Sequence, residues 1–159
     1  MKKIYSVIIL ATLIVSCRER ISAPGPVRVS FAEVSSLKIG GEEAAEITAF
    51  DPITQKLFVV NNSDGISQVD VIDFSDPSNL VVLSPINISG FGGGLNSVAV
   101  KNGKLAIAVE ANLKTDPGSI VIFETNNLSA PIANITVGAL PDMVIFSPDA
   151  RYIVSANEG

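Results

Sequence analysis

Histidine is absent from this 159-residue chain, and cysteine occurs once, at Cys17. Without histidine, the sequence excludes a serine–histidine catalytic pair and a histidine-bearing zinc site. A single cysteine excludes an internal disulfide, so the folded part must be stabilised by packing. These absences leave open an all-oxygen calcium site, which would use carboxylate and carbonyl ligands.

One long apolar run lies at the amino terminus. Lys2 and Lys3 precede the run Ile4–Val15, which is too short to span a bilayer comfortably and is typical of an export signal. The run ends in Ile14-Val15-Ser16-Cys17, which resembles a bacterial lipobox. That resemblance implies cleavage before Cys17 and attachment of lipid to it, the alternative being an incidental thiol. We therefore expect a lipoprotein signal peptide over residues 1–16.

Residues 17–30 are predicted to be the lipidated cysteine and a tether, because the stretch is polar and Pro24-Gly25-Pro26 opposes regular structure. Arg18 stands where an aspartate would mark retention at the inner membrane in enteric-type bacteria, so the outer membrane is favoured. The 11 basic and 16 acidic residues give a net charge of −5, which disfavours nucleic acid as a partner. The expected location is the bacterial cell envelope, facing the periplasm or the surface.

From residue 31 onward the sequence is typical of an all-β fold. Short runs rich in valine, isoleucine and phenylalanine are bounded by glycine, proline, asparagine and aspartate, and no helical period competes with them. A similar start recurs roughly every fifty residues, at Glu46–Phe50, Asn96–Val100 and Asp142–Phe146. That spacing is close to the period of propeller blades, which bury their faces by stacking on neighbours. We therefore predict an incomplete β-propeller of the WD40/YVTN-like kind over residues 31–159.

The predicted strands fill about two and a half four-stranded antiparallel blades. They are residues 46–50, 56–60, 68–72 and 80–88, then 97–100, 104–109, 119–123 and 132–137, then 143–146 and 151–155. Val34–Ile39 is a further candidate strand. Because a closed propeller generally needs at least about four blades, we expect exposed sheet faces and edges, self-association, and a truncated product of a longer gene. A small β-sandwich is the alternative architecture.

Several ordered motifs resemble the choice-of-anchor I family across residues 33–159. They are Ala45–Pro52, Leu95–Val100, Val109–Ala111, Thr115–Gly118, Val137–Val144, Ser147–Asp149 and Ala156–Gly159. The resemblance implies a secreted or surface β-propeller related to mesenchyme-specific cell-surface glycoproteins, and it carries alkaline-phosphatase-like labels. The family continues past the terminal Asn-Glu-Gly. Ala150 stands where the family has the glycine of a Ser-Pro-Asp-Gly turn, so a positive φ there would be strained.

Polar residues at strand ends are the candidate ligand-binding residues. They comprise Glu46, Asn62, Asn96, Glu110, Asp142, Asn157 and Glu158, with Asp116 in an adjacent loop. Alignment of the repeats places Glu46, Asn96 and Asp142 at the start of the first strand of each blade. It places Asn62, Glu110 and Asn157 at the end of the second strand. Because first strands line the channel of a propeller, these side chains would converge on a cation or polar ligand.

Calcium is the expected cofactor, because hard cations prefer oxygen ligands, and Glu110, Asp142 and Glu158 are the predicted metal ligands. The alternative is that such residues cap loops and bond local backbone. No nucleotide site is expected, because Gly90–Gly94 lacks dinucleotide spacing and a following helix, and is typical of a flexible loop.

These observations predict a membrane-anchored interaction module that binds a protein or a carbohydrate. No residue is assigned a catalytic role. A phosphoesterase is the alternative, with Glu110 and Asp142 as acid and base. A nonfunctional gene fragment is the third hypothesis.

Overall fold

The computed structural model describes residues 29–42 and 44–159, and one compact unit spans Glu33–Gly159. The predicted signal peptide, Cys17 and most of the tether lie outside the described residues. Within the described part, no helix is long and apolar enough to cross a membrane. The strands are β1 (Ala44–Asp51), β2 (Lys56–Asn61), β3 (Gln68–Asp73), β4 (Val81–Val82), β5 (Ile86–Asn87), β6 (Leu95–Lys101), β7 (Lys104–Val109), β8 (Pro117–Glu124), β9 (Ala133–Ala139), β10 (Pro141–Phe146) and β11 (Ile153–Asn157).

These strands form three antiparallel sheets in chain order. The first sheet has the order β1-β2-β3-β4, with β5 also paired to β3; the second is β6-β7-β8-β9, and the third is β10-β11. Sequential hairpins therefore build two complete four-stranded blades and the first half of another. The predicted all-β, partial-propeller fold is confirmed, and three sheets in this order argue against the β-sandwich alternative.

Turn chemistry explains why the hairpins close where they do. Asn102 and Gly103 link β6 to β7 with φ values of 48° and 73°, the left-handed pair that a two-residue hairpin needs. In the β1–β2 turn the Asp51 carboxylate accepts hydrogen bonds from the Ile53 N–H at 3.1 Å and the Thr54 hydroxyl at 2.8 Å. Burial opposes ionisation of Asp51, but its hydrogen bonds outweigh that effect and hold its pKa below the ordinary value.

The core lies between the sheets. Side chains on one face of the first sheet, including Phe58 and Val60, pack against Leu105 and Ile107 of the second sheet in one continuous buried cluster. The opposite face of the second sheet, with Ala106 and others, forms a second cluster with β10 and β11. Alternate residues of β7 thus point into two different cores, which is why its central run is apolar without a polar alternation.

Two strand predictions are wrong. Residues 80–88 form two short strands, β4 and β5, separated by a stretch that includes Pro85, because proline cannot donate a ladder hydrogen bond. Val34–Ile39 forms no strand. Instead the Ser35 hydroxyl donates to the Pro77 carbonyl at 2.6 Å, and the Asn61 amide donates to the Ile39 carbonyl at 3.3 Å.

These contacts place residues 33–42, which we call the covering segment, over the outer face of the first sheet. Val59, Asp70 and Ile72 lie on that face and are buried. The expected exposure of an unstacked blade face is therefore only partly met in the first sheet, where Phe50 and Val82 on the same face are 44% and 50% exposed. It also applies to the third sheet, where Ile145 and Val154 stand opposite each other and are about half exposed. Self-association through this sheet stays a prediction.

Ala150 has a φ of 57°, in the left-handed region that penalises a methyl group. The alanine in the third-blade turn is therefore strained, as the departure from the glycine pattern suggests.

Replacing Ala150 by glycine should raise the free energy of unfolding by about 1 kcal/mol, because relief of the strain exceeds the entropy that glycine adds to the unfolded chain. Urea denaturation measures the change. Ala130→Gly is the matched control, since Ala130 lies in a loop without positive φ, and it should lower stability slightly. Equal loss of stability in both variants would contradict a strained turn.

Candidate functional site

The first strand of each sheet is interrupted at the predicted polar residue. Asn96 lies in a bulge of β6 between Leu95 and Ser97, and Asp142 lies in a bulge of β10 between Pro141 and Met143. Glu46 lies in a longer irregularity of β1, between Ala44 and Thr48. Bulges redirect side chains and are frequent beside functional sites. The three residues therefore occupy corresponding places in the repeats.

The ends of the second strands align differently from the prediction. Across the sheets, Ala44 faces Asn61, Leu95 faces Val109 and Pro141 faces Asn157. Asn157 therefore corresponds to Asn61 rather than to Asn62. The residue that corresponds to Asn62 and Glu110 is Glu158, because each of the three directly follows the residue at which the strand pairing ends.

Asn62, Asn96 and Glu110 line one cavity of about 390 Å³ between the first and second sheets. Its wall also contains Ser67, Gly93, Gly94 and Lys114. Three of the predicted residues are thus brought together at the ends of β2, β6 and β7. Glu46, Asp142, Asn157 and Glu158 are exposed and do not line it, and Asp116 lines a different cavity.

Two of the three polar side chains connect adjacent sheets. The Asn62 amide donates to the Leu95 carbonyl at 2.6 Å, and its oxygen accepts from the Leu95 N–H at 3.2 Å. Asn96 donates to the Pro141 carbonyl at 3.1 Å, which joins the bulges of the second and third sheets. The alternative that these residues bond backbone is therefore correct for both, although the backbone belongs to the next blade.

Glu110 has a different environment. Its backbone accepts from Gly93 N–H at 2.9 Å and donates to the Gly94 carbonyl at 3.0 Å, so the residue is fixed against the glycine-rich loop. A methyl group on Gly94 would lie 3.0 Å from Glu110 Oε1, so the carboxylate lies directly against this part of the loop. The side chain is 13% exposed, and its ion pair is with Lys114 at 3.6 Å. That lysine is mostly exposed, so it can move aside for a ligand.

The predicted metal ligands do not form a carboxylate cluster. Among residues 29–42 and 44–159, no group of three acidic, histidine or cysteine side chains could hold a metal ion. Glu110 would have to act with amide and carbonyl oxygens and water. Such a donor set fits a weak calcium site and not a tight one, because affinity rises with the number of charged ligands.

Sequence reasoning missed Lys114 and Ser67. Lys114 lies four residues after Glu110, in the loop between β7 and β8. The Ser67 hydroxyl donates to the Gly93 carbonyl at 2.8 Å. Neither residue belongs to the repeat pattern, so periodicity gave no signal for them. The cavity contains residues separated by more than forty positions, which only the stacking of the sheets brings together.

Comparison with known families supports the interpretation of fold and repeats. The choice-of-anchor I domain matches residues 46–159, which is most of the chain, and the protein belongs to the choice-of-anchor I family. No curated protein matches the chain. Membership indicates an anchoring or interaction module, and accordingly a protein associated with the cell surface or envelope.

Replacing Asn62 by alanine should lower the free energy of unfolding by about 1–3 kcal/mol, because the N–H and C=O groups of Leu95 both lose their partner. Glu110→Gln should change it by less than about 0.5 kcal/mol, because it removes only an ion pair with an exposed lysine. Urea denaturation at neutral pH compares the two. A similar large loss in both variants would show that Glu110 is needed for folding.

Proposed function

We propose that this choice-of-anchor I domain is a ligand-binding module, held at the bacterial envelope by lipid on Cys17. The cavity lined by Asn62, Asn96 and Glu110 is its ligand site. The observation that carries the proposal is the convergence of residues from corresponding strand ends on one cavity at the junction of two sheets. Positions where repeated elements meet are common places for ligand sites.

The roles of the three residues follow from their contacts. Asn62 fixes the distance between the sheets through Leu95, and Asn96 holds the bulge towards the third sheet. Glu110 supplies the negative charge, because its carboxylate is shielded from solvent and its partner Lys114 is mobile enough to be displaced. The site therefore suits a cation or a polar ligand with a positive group.

Calcium is the simplest such cation. With one carboxylate in the cavity, its dissociation constant should lie at about 10⁻⁴–10⁻³ M, the range of weak extracellular sites. A ligand of this affinity would be bound at the extracellular concentrations that such modules meet. The proposal assigns calcium a binding role and no catalytic step.

Isothermal titration calorimetry, in which CaCl₂ is added to the full chain, tests this site. Wild-type protein should bind in the stated range, and Glu110→Gln should weaken binding by about tenfold or more, because it removes the charged ligand. Glu124→Gln is the matched control, since Glu124 also pairs with a lysine, Lys104, at 3.1 Å but lies outside the cavity. Equal affinity in all three proteins would refute a site at Glu110.

Lipid anchoring is tested separately by Cys17→Ala, which keeps residues 1–16 but removes the acceptor thiol. The native product should be recovered from the membrane fraction with the mass of acyl groups added. The variant should lack the mass of the acyl groups and keep the mass of residues 1–16, because cleavage before residue 17 depends on the lipobox cysteine. A membrane-bound native product without acyl groups would contradict the proposed anchor.

A further inference from the structure

A second and larger cavity lies on the other side of Gly93 from the Glu110 site. It has a volume of about 540 Å³ and is formed by the glycine-rich loop, the loop between β7 and β8, and the facing ends of β8 and β9. Its size falls within the range of small-molecule sites, which is about 300–1,000 Å³. Neither the calcium site nor the blade repeat uses this space.

Close backbone approaches fix its walls. A methyl group on Gly92 would lie 2.2 Å from the Glu110 carbonyl oxygen, and one on Gly118 would lie 2.5 Å from Pro141 Cδ. These glycines therefore allow the loops to pack directly on β7 and β10. The Phe91 N–H also donates to the Ile88 carbonyl at 2.8 Å. The glycine-rich loop is thus held by contacts at several points, in contrast to the flexible loop expected from its composition.

The lining chemistry is polar with little charge. Asn112, Asp116, Asn134 and Thr136 are exposed at the cavity, so their hydrogen-bonding groups are available to a ligand. Phe91 also lines the cavity, but its side chain packs against the core between the first and second sheets. The lining residues include one acidic residue and no lysine or arginine, which disfavours phosphate and other anions.

Ser119 is a lining residue whose hydroxyl group does not face the cavity. It lines the cavity, and its hydroxyl oxygen is buried without a hydrogen-bond partner in the described part of the chain. Buried hydroxyl groups without partners are rare, because each one loses the hydrogen bonds that water provides. Because this oxygen has almost no accessible surface, it is out of reach of a ligand in the cavity and forms no part of the binding surface.

We propose that this cavity binds a neutral saccharide. Amide and hydroxyl side chains can donate and accept at once, which matches the hydroxyl groups of a sugar ring, and Asp116 adds an acceptor for two adjacent hydroxyls. The inference is independent of the calcium site, because no residue lines both cavities.

The test uses the full chain and a panel of neutral disaccharides: maltose, cellobiose, lactose and chitobiose. Binding is followed by NMR chemical-shift perturbation up to about 10 mM sugar, where weak complexes are detected. At least one sugar should perturb the amides of Gly90–Gly92 and of β8. Asn134→Ala should weaken that binding about tenfold, because it removes a hydrogen-bonding amide. Absence of binding for every sugar in the panel would overturn the proposal.

Two further variants separate binding from folding. Gly90→Trp should abolish binding without loss of folding, since a side chain at Gly90 meets no atom within 4 Å and would project into open space at the cavity. Ser119→Ala should leave both the binding and the thermal midpoint unchanged, because the buried hydroxyl has no protein partner to lose and does not face the cavity. Asn79→Ala, an equally exposed asparagine on the first sheet's β3–β4 loop, is the control and should bind normally. Unchanged binding in Gly90→Trp would place the sugar elsewhere and overturn the assignment.

Discussion

Face-to-face burial of the first sheet on the second is the contact on which the rest of the structure depends. Phe58 and Val60 have no exposed surface, and they pack in the same cluster as Leu105 and Ile107, which have none either. A single four-stranded sheet would leave one of these faces in water, and a chain with one cysteine has no disulfide to compensate. Stacking therefore decides whether the blades fold, and it also brings the ends of β2, β6 and β7 together.

The same stacking explains why polar residues occur at sheet junctions. Hydrogen bonds from Asn62 to Leu95 and from Asn96 to Pro141 satisfy backbone groups that the bulges remove from their own ladders. The Glu110 carboxylate has no such role, and its ion pair is with the exposed Lys114. Asn62 and Asn96 are therefore structural, because the backbone groups of the neighbouring sheet need them as partners. Glu110 has no such duty, so its carboxylate can give the proposed site its charge.

Much of the fold could be predicted from the sequence, because period-two runs and turn residues are local signals. β7 was predicted to the residue, and the Asn102-Gly103 turn was recognisable from its dipeptide. The register of Asn157 was misplaced because the turns before the second strands differ in length: two residues separate Lys101 from Lys104, and six separate Phe146 from Ile153. Part of the covering segment was predicted to be a strand because its mixture of apolar and polar residues suits either a paired strand or a segment that covers the face of a sheet. The cavity lined by Asn112, Asn134 and Thr136 depends on loops far apart in sequence, so only the folded chain shows it.

Native-state hydrogen exchange tests the central claim that the first and second sheets share one core. The amides of Val60 in β2 and Ile107 in β7 should exchange with the same free energy, equal to that of global unfolding, because neither sheet can lose the buried cluster alone. Amides of β11, which forms the exposed edge of the two-stranded third sheet, should exchange sooner. A first sheet that opens at a distinctly lower free energy than the second would contradict the account.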